Sequence, residues 1–376
     1  MNKYIEEHKE WIDSIWSKLD EKLSKTAVKS RDKLPYTTEY GIHDNRAITF
    51  PTWWTNGFWG GIMWLMYMGT HNEEYKLTAL RSEELLDLAL DKCDCLDHDV
   101  GFMWNITSGV HYRLDGDKKA KNRLKTAVAL LASRFNSQAG YIRAWNGDGK
   151  LPKMTIIDTM MNLPMLYRAS EEEFDDRLKH IALTHTEMAI RDHIRADGSV
   201  NHIVLHNPVT GEVERTDGGQ GYDVGSSWSR GQAWAIYGFV LAYIHTNETK
   251  FLDIAKRTAH YFISCMSISD YLPLCDFRAP EEPVIYDSTA GACAACGLIE
   301  IAKVVPEYEK KLYIESAIKI LKAIEEKFCD WSDTEDSILQ MGTEAYRRGN
   351  HIPIIYGDYF FVEAIYKLRG NDFLMW

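Results

Sequence analysis

The chain has 376 residues, 45% of them apolar, and a formal net charge of −12, so it can bury a large core but presents no basic face of the kind that nucleic acid requires. Its longest mostly apolar run, Gly57 to Gly69, is too short to cross a bilayer, and Met1 to Asp20 lacks the apolar stretch of a signal peptide, so no membrane partner is expected.

In chain order, apolar recurrence at three and four residues predicts helices over roughly 3–25, 57–69, 73–93, 100–114, 117–135, 158–170, 173–192, 229–246, 249–266, 287–304, 314–328 and 357–369. They fall into two alternating kinds. Those such as the run through Ile314, Ala317, Ile318, Leu321, Ile324 and Phe328 carry Lys and Glu on the opposite face, whereas those such as Ser288 to Gly297 are apolar and small-residue-rich on most faces. An amphipathic set alternating with a buried set is what an outer and an inner ring require. The fold class expected is therefore all-α, an (α/α)6 barrel of six hairpins in a single catalytic domain over 1–376. The glycine-rich stretch 194–228 is read as a long non-helical insertion, an extended loop or hairpin, and 271–284 as a second one.

Polar and aromatic clusters stand just before the buried helices: Trp53-Trp54-Thr55-Asn56, Asp97-His98-Asp99, Asp158, Ser226 to Arg230, Tyr286-Asp287-Ser288 and Tyr356-Gly357-Asp358. In an alternating toroid those ends converge on one face, where a site is expected. Asp99, Asp287 and Asp358 each also suit a helix N-cap. Asp158 differs, because it lies inside the apolar run Met154 to Pro164, where burial is expected to raise its pKa toward that of a general acid. Arg230, at a helix start between Trp228 and Trp234, offers a guanidinium fork for a carboxylate. Cys93, Cys95, Asp97, His98 and Asp99 match no common zinc spacing, and Gly57 to Gly61 lacks the Lys-Ser/Thr ending of a phosphate loop, so neither metal nor cofactor is expected. Seven irregularly spaced cysteines fit free thiols in a reducing, cytoplasmic setting. Twelve Trp and twenty Tyr supply faces on which sugar rings stack.

Several of these stretches together resemble the unsaturated glucuronyl hydrolases of glycoside hydrolase family 88: Trp54-Thr-Asn-Gly-Phe-Trp-Gly-Gly61, Leu96 to Phe102, Ile157-Asp-x-x-x-Asn-Leu-Pro164, Ser227 to Phe239, Asp287-Ser-x-Ala and Tyr356 to Phe360. The resemblance implies a six-hairpin toroid and hydration of the C4=C5 vinyl ether at the non-reducing end of lyase-generated glycosaminoglycan fragments, followed by ring opening of the hemiketal. It implies Asp158 as the acid that protonates C4 and the base that delivers water to C5, and Asp99 as the second essential carboxylate. It further implies substrate contacts from Trp54, His98, Trp145, His202, Gln220, Arg230 and Trp234. Where some bacterial relatives carry a serine- and lysine-bearing loop linked to sulfated substrates, this chain has Glu344 to Asn350, so Arg347 and Arg348 become candidate sulfate or distal-sugar contacts. The expected partner is an unsaturated acidic di- or oligosaccharide, bound by a monomer or homodimer. Competing readings are an unsaturated rhamnogalacturonyl hydrolase acting on pectin fragments, a conventional glycosidase or epimerase on the same toroid, and an inert sugar-binding scaffold.

Overall fold

The computed structural model describes residues 2–173 and 175–376. Six outer helices, Lys9–Lys29, Glu73–Leu90, Lys118–Ser133, Asp176–Asp192, Thr249–Ser267 and Glu307–Phe328, surround an inner ring. The Thr249–Ser267 helix shows why they lie outside: it buries Phe251, Ala255, Thr258, Ala259, Phe262 and Met266 on one stripe and turns Lys250, Asp253 and Arg257 away from it. The inner ring is formed by Phe58–Thr70, the pair Val100–Trp104 and Ser108–Asp115, Pro164–Glu173, Ser229–Thr246, Ser288–Val304 and Ile355–Leu368. The last of these packs on both Ser288–Val304 and Phe58–Thr70, which closes the circle into an (α/α)6 toroid.

Two inner elements depart from the continuous helices expected. The 100–114 helix is interrupted at Asn105 to Thr107, where Thr107 leaves helical geometry at φ −111°, ψ −93°. The segment expected as helix over 158–170 begins as a 3-10 turn, Ile157–Met161, and becomes α-helical only at Pro164, because proline suits a first helical turn and disfavours α geometry in the residue before it. The start expected at 173 for the next helix abuts position 174, which lies outside the described residues; the helix begins at Asp176, capped by Asp175.

Of the outer helices, those starting at Glu73, Lys118 and Asp176 are capped, Asn72 accepting from the Glu74 N–H, Asp117 from Ala120 and Asp175 from Arg177, whereas those starting at Lys9, Thr249 and Glu307 have no side-chain cap. At the inner starts neither Asp99 nor Asp287 makes a capping bond, and Asp358 instead accepts the N–H groups of Ile338 and Leu339 at 3.0 and 2.6 Å. These carboxylates are committed elsewhere, so the helix-cap reading fails for all three.

The glycine-rich insertion supplies two strands of a three-stranded antiparallel sheet, Met154–Ile156, Ile203–His206 and Val213–Asp217, in that order. Ala144, Met154, Ile156, Ile203 and Leu205 form a small core beneath it. The main core runs from Ile12 to Trp376 and fills the bore. Trp376 lies parallel to Phe360 at 6.0 Å, meets Phe102 edge-on and donates from Nε1 to Glu363 at 3.2 Å. Its carbonyl accepts from Arg168, while Arg113 holds the carbonyls of Leu374 and Met375. Arg113 lies in the last turn of Ser108–Asp115 and Arg168 midway along Pro164–Glu173, so the bore is stoppered beyond the helix starts that carry Asp99 and Asp158.

Candidate active site

Strand register places the central carboxylate. Ile156 pairs with Ile203, and the Ile157 N–H donates to the His202 carbonyl at 3.1 Å, so the next residue, Asp158, enters the 3-10 turn facing the His202 ring. His202 Nε2 stands 3.5 Å from Asp158 Oδ2. The tautomer follows from the opposite nitrogen: Nδ1 accepts the Gln220 backbone N–H at 3.1 Å, so in the neutral ring the proton sits on Nε2 and points at the carboxylate. Gly219, at φ +57°, permits this approach, since a Cβ there would lie 2.3 Å from His202 Nδ1. Trp228 covers the imidazole at 4.2 Å.

Asp99 approaches from the neighbouring inner element. Asn162 joins the two acids, its Nδ2 donating to Asp99 Oδ1 at 3.2 Å and to the Asp158 carbonyl at 3.4 Å, while its Oδ1 accepts from the Phe102 N–H. Gly101 makes room, because a Cβ there would lie 2.5 Å from Asn162 Oδ1. His98 is fully buried behind Asp99, its Nδ1 bonded to Thr159 Oγ1 at 2.9 Å and its Nε2 3.5 Å from Asp99 Oδ1. Asp97, His98 and Asp99 each bring one ligand atom within 4.8 Å of the others, but all three side chains already serve hydrogen bonds: Thr159 to His98, Asn162 to Asp99, and the Asp99 N–H to Asp97. The trio is a scaffold for the acid.

Electrostatics divides the two aspartates in the opposite sense to that expected. Burial pushes the Asp158 carboxyl up, but the His202 N–H, supported by His98 and the Arg230 cation, outweighs it and holds the group below the ordinary carboxylate range. Asp99 is driven well above that range by burial and by the negative charges of Asp97 and Asp158. Of the two carboxyls, Asp99 is therefore the one whose protonated form burial and neighbouring charge favour. Burial also pushes the His98 imidazole down to about 4, which keeps it neutral.

Both acids open into a cleft of about 280 Å³ lined by Phe50, Trp53, Trp54, Trp145, Asp97 and Gln220, with Thr52, Cys95 and Ile156 between them. Five residues singled out from the sequence, Trp54, Asp99, Trp145, Asp158 and Gln220, thus meet in one place, and His98 and His202 stand directly behind the carboxylates. Two do not reach it. Arg230 is buried and does not line the cleft, its Nη1 bonded to the Asp287 carboxylate and the Thr343 carbonyl and its Nη2 to the Glu344 carbonyl. Trp234 is fully buried against Phe102 and Phe360 and belongs to the bore, not to the cleft wall. Arg347 and Arg348 are exposed on the 343–350 loop, which touches the cleft through the Tyr346 N–H donated to the Gln220 carbonyl at 2.8 Å. Sequence reasoning missed Asn162 as the bridge between the acids, and it missed Phe50. The signal for Phe50 was a lone aromatic ahead of Pro51, within the loop that leads to the tryptophan pair.

The family model for Glycosyl Hydrolase Family 88 matches residues 21–337. The chain is 34% identical over 352 residues to the unsaturated glucuronyl hydrolase of Bacillus sp. (strain GL1), covering 90% of this chain and 91% of that protein. The crystal structure of the Bacillus sp. GL1 enzyme, described as responsible for the degradation of glycosaminoglycan, superposes with a TM-score of 0.86 over 92% of this chain and 95% of the other. An unsaturated chondroitin disaccharide hydrolase of Streptococcus pneumoniae is 29% identical, covering 90% of this chain and 85% of its own length. A Streptococcus agalactiae unsaturated glucuronyl hydrolase variant complexed with dGlcA-GalNAc6S is 26% identical, with a TM-score of 0.77 over 94% and 92% of the two chains. By fold, by motif and by these likenesses, the chain belongs to glycoside hydrolase family 88.

Proposed function

We propose that this enzyme removes the unsaturated 4,5-glycuronyl residue from the non-reducing end of lyase-generated glycosaminoglycan oligosaccharides by hydrating its C4=C5 vinyl ether. The observation that carries this reading is the pair of buried carboxylates, Asp99 and Asp158, bridged by Asn162 at the base of an aromatic cleft. The C4 proton comes from the Asp99–Asp158 pair, with Asp158 as the donor. Positive charge then develops at C5 and is shared with the ring oxygen. Asp158, now a base, takes a proton from the water that adds to C5, and the resulting hemiketal opens to release the neighbouring sugar. Attack is not at the anomeric carbon, so the spacing rule that separates retaining from inverting glycosidases does not govern this pair.

Asp158 must hold a proton to act, although His202 favours its charged form. The substrate supplies the correction. Among the described residues no lysine or arginine lines the cleft and three carboxylates do, so an entering uronate meets neutral donors such as the Gln220 amide and adds a further negative charge. That charge raises the affinity of the pair for its proton. Trp54 and Trp145 flank the ring, His202 and His98 hold the two acids in place, and Arg347 and Arg348 take an anionic group on the sugar beyond. No helix among the described residues is long and apolar enough to cross a membrane. Seven unpaired cysteines, two of them exposed, support a reducing, cytoplasmic setting.

The test is incubation with unsaturated disaccharides from chondroitin, hyaluronan, heparin and pectin, following the ultraviolet absorbance of the conjugated double bond. Loss with a glycosaminoglycan disaccharide is expected. Loss with the pectin fragment alone would establish the rhamnogalacturonyl reading, and a folded protein that leaves all four unchanged would refute hydration.

A further inference from the structure

The cleft is a dead end, and this constrains where the rest of a substrate goes. Beneath Asp99 and Asp158 the bore is filled by Phe102, Trp234, Phe360 and Trp376, all fully buried. A chain whose terminal uronate reaches the two acids can leave only past the mouth. There the wall is aromatic: Phe50 is 46% exposed, and its ring lies 5.4 Å from that of Trp53 at an interplanar angle of 38°. The pair is held still. Trp53 is met edge-on by Tyr36 at 5.6 Å, the Arg46 guanidinium lies over both the Tyr36 and Trp53 rings, and Arg46 is itself fixed by Asp44 at 2.9 Å. The Asn56 amide donates to the carbonyls of Phe50 and Pro51, pinning the loop from below.

Phe50 and Trp53 thus offer two adjacent aromatic rings at the mouth, one of them half-exposed and the other well held. A ring with one apolar face and polar edges, such as a pyranose, is the ligand that suits a half-exposed aromatic surface continuous with a sugar cleft. We infer that Phe50 and Trp53 form a distal subsite at the cleft mouth that stacks a sugar ring beyond the disaccharide, so that the enzyme favours oligosaccharides over disaccharides. The inference rests on the hydration reading for the position of the terminal uronate, and its test separates the two.

The experiment compares kcat/KM for the unsaturated disaccharide and for the tetrasaccharide of the same polymer, in the wild type, Phe50→Ala and Phe50→Tyr. The wild type is expected to prefer the tetrasaccharide by about fivefold to tenfold, the size of one aromatic stacking contact. Phe50→Ala is expected to lower that ratio toward one, and Phe50→Tyr, which retains a ring, to restore it. A wild-type ratio of one overturns the subsite, as does a ratio that Phe50→Ala leaves unchanged. A Phe50→Ala protein that changes oligomeric state on gel filtration while keeping its ratio would assign the patch to a second copy of the chain instead. Absence of absorbance loss with both lengths would refute hydration itself, a distinct outcome.

Discussion

Replacing Arg230 with glutamine distinguishes a structural arginine from a substrate-binding one. In the structure its guanidinium is buried with Asp287, and the same carboxylate accepts from Thr289 Oγ1 at 2.6 Å and from the Thr343 N–H at 3.3 Å. Glutamine removes the positive charge and leaves Asp287 ionised without a counter-ion, in a place where water does not reach. Stranding one partner of a buried pair costs about 3–5 kcal/mol, against a total stability on the order of 5–15 kcal/mol. The expected result in a thermal melt is a fall of about 4–6 °C, with the remaining folded enzyme keeping a near-normal KM. Arg230→Gln combined with Asp287→Asn removes the stranded charge as well and is expected to recover part of the loss. A single variant that melts like the wild type but needs at least about tenfold more substrate would refute this reasoning and return Arg230 to the substrate carboxylate.

Asp158→Asn should keep disaccharide binding, measured by calorimetry, while turnover falls at least about a hundredfold, as expected for loss of a general acid. His202→Ala removes the N–H that favours ionised Asp158, so the alkaline limb of the kcat/KM profile should move to higher pH; a shift to lower pH would contradict the tautomer assigned to the ring. Because the acid pair must retain its proton to accept an anion, KM should rise with pH as Asp99 ionises, and Asp99→Asn should flatten that rise. Asp358 is raised by burial to about 7, above its unfolded value near 3.8. Its contribution to stability is therefore fully present below pH ~4 and lost as pH climbs through ~7. Denaturant melts over this window should show a smaller decline in Asp358→Asn than in the wild type.

Much of the fold was legible because ring position writes itself into periodicity. Outer helices such as Thr249–Ser267 need one apolar stripe, while inner helices such as Ser288–Val304 need apolar residues all round. The sheet left no such trace. Met154–Ile156 and Ile203–His206 are buried on both faces, so their side chains do not alternate. The site was legible where a residue type was improbable in its setting, as with Asp158 inside an apolar run. It was illegible where only tertiary direction decides: Arg230 and Trp234 are one helical turn apart on the same helix, and nothing local says whether their shared face turns toward the cleft or into the bore. The protonation order of Asp99 and Asp158 was hidden for a similar reason, since it depends on His202, which is 44 residues from Asp158 in sequence and reaches it only through strand pairing.

The way Arg230 grips the 343–350 loop has a consequence for how this mouth can be remodelled. Two of its bonds end on the main-chain carbonyls of Thr343 and Glu344, and the Gln220 amide also reaches the Glu344 carbonyl. Carbonyl oxygens are present whatever side chain is mounted above them. The root of the loop is thus held through its main chain, with the Thr343 hydroxyl donating to the Tyr286 carbonyl at 2.6 Å and the Glu344 carboxylate accepting from Tyr36, while Arg347 and Arg348 project from its exposed tip. Side chains at the tip can be exchanged for others of different charge without loosening the hinge that holds them. Tuning for a different anionic sugar is therefore a change of fittings on a fixed bracket, separable from the proton chemistry at the base of the cleft.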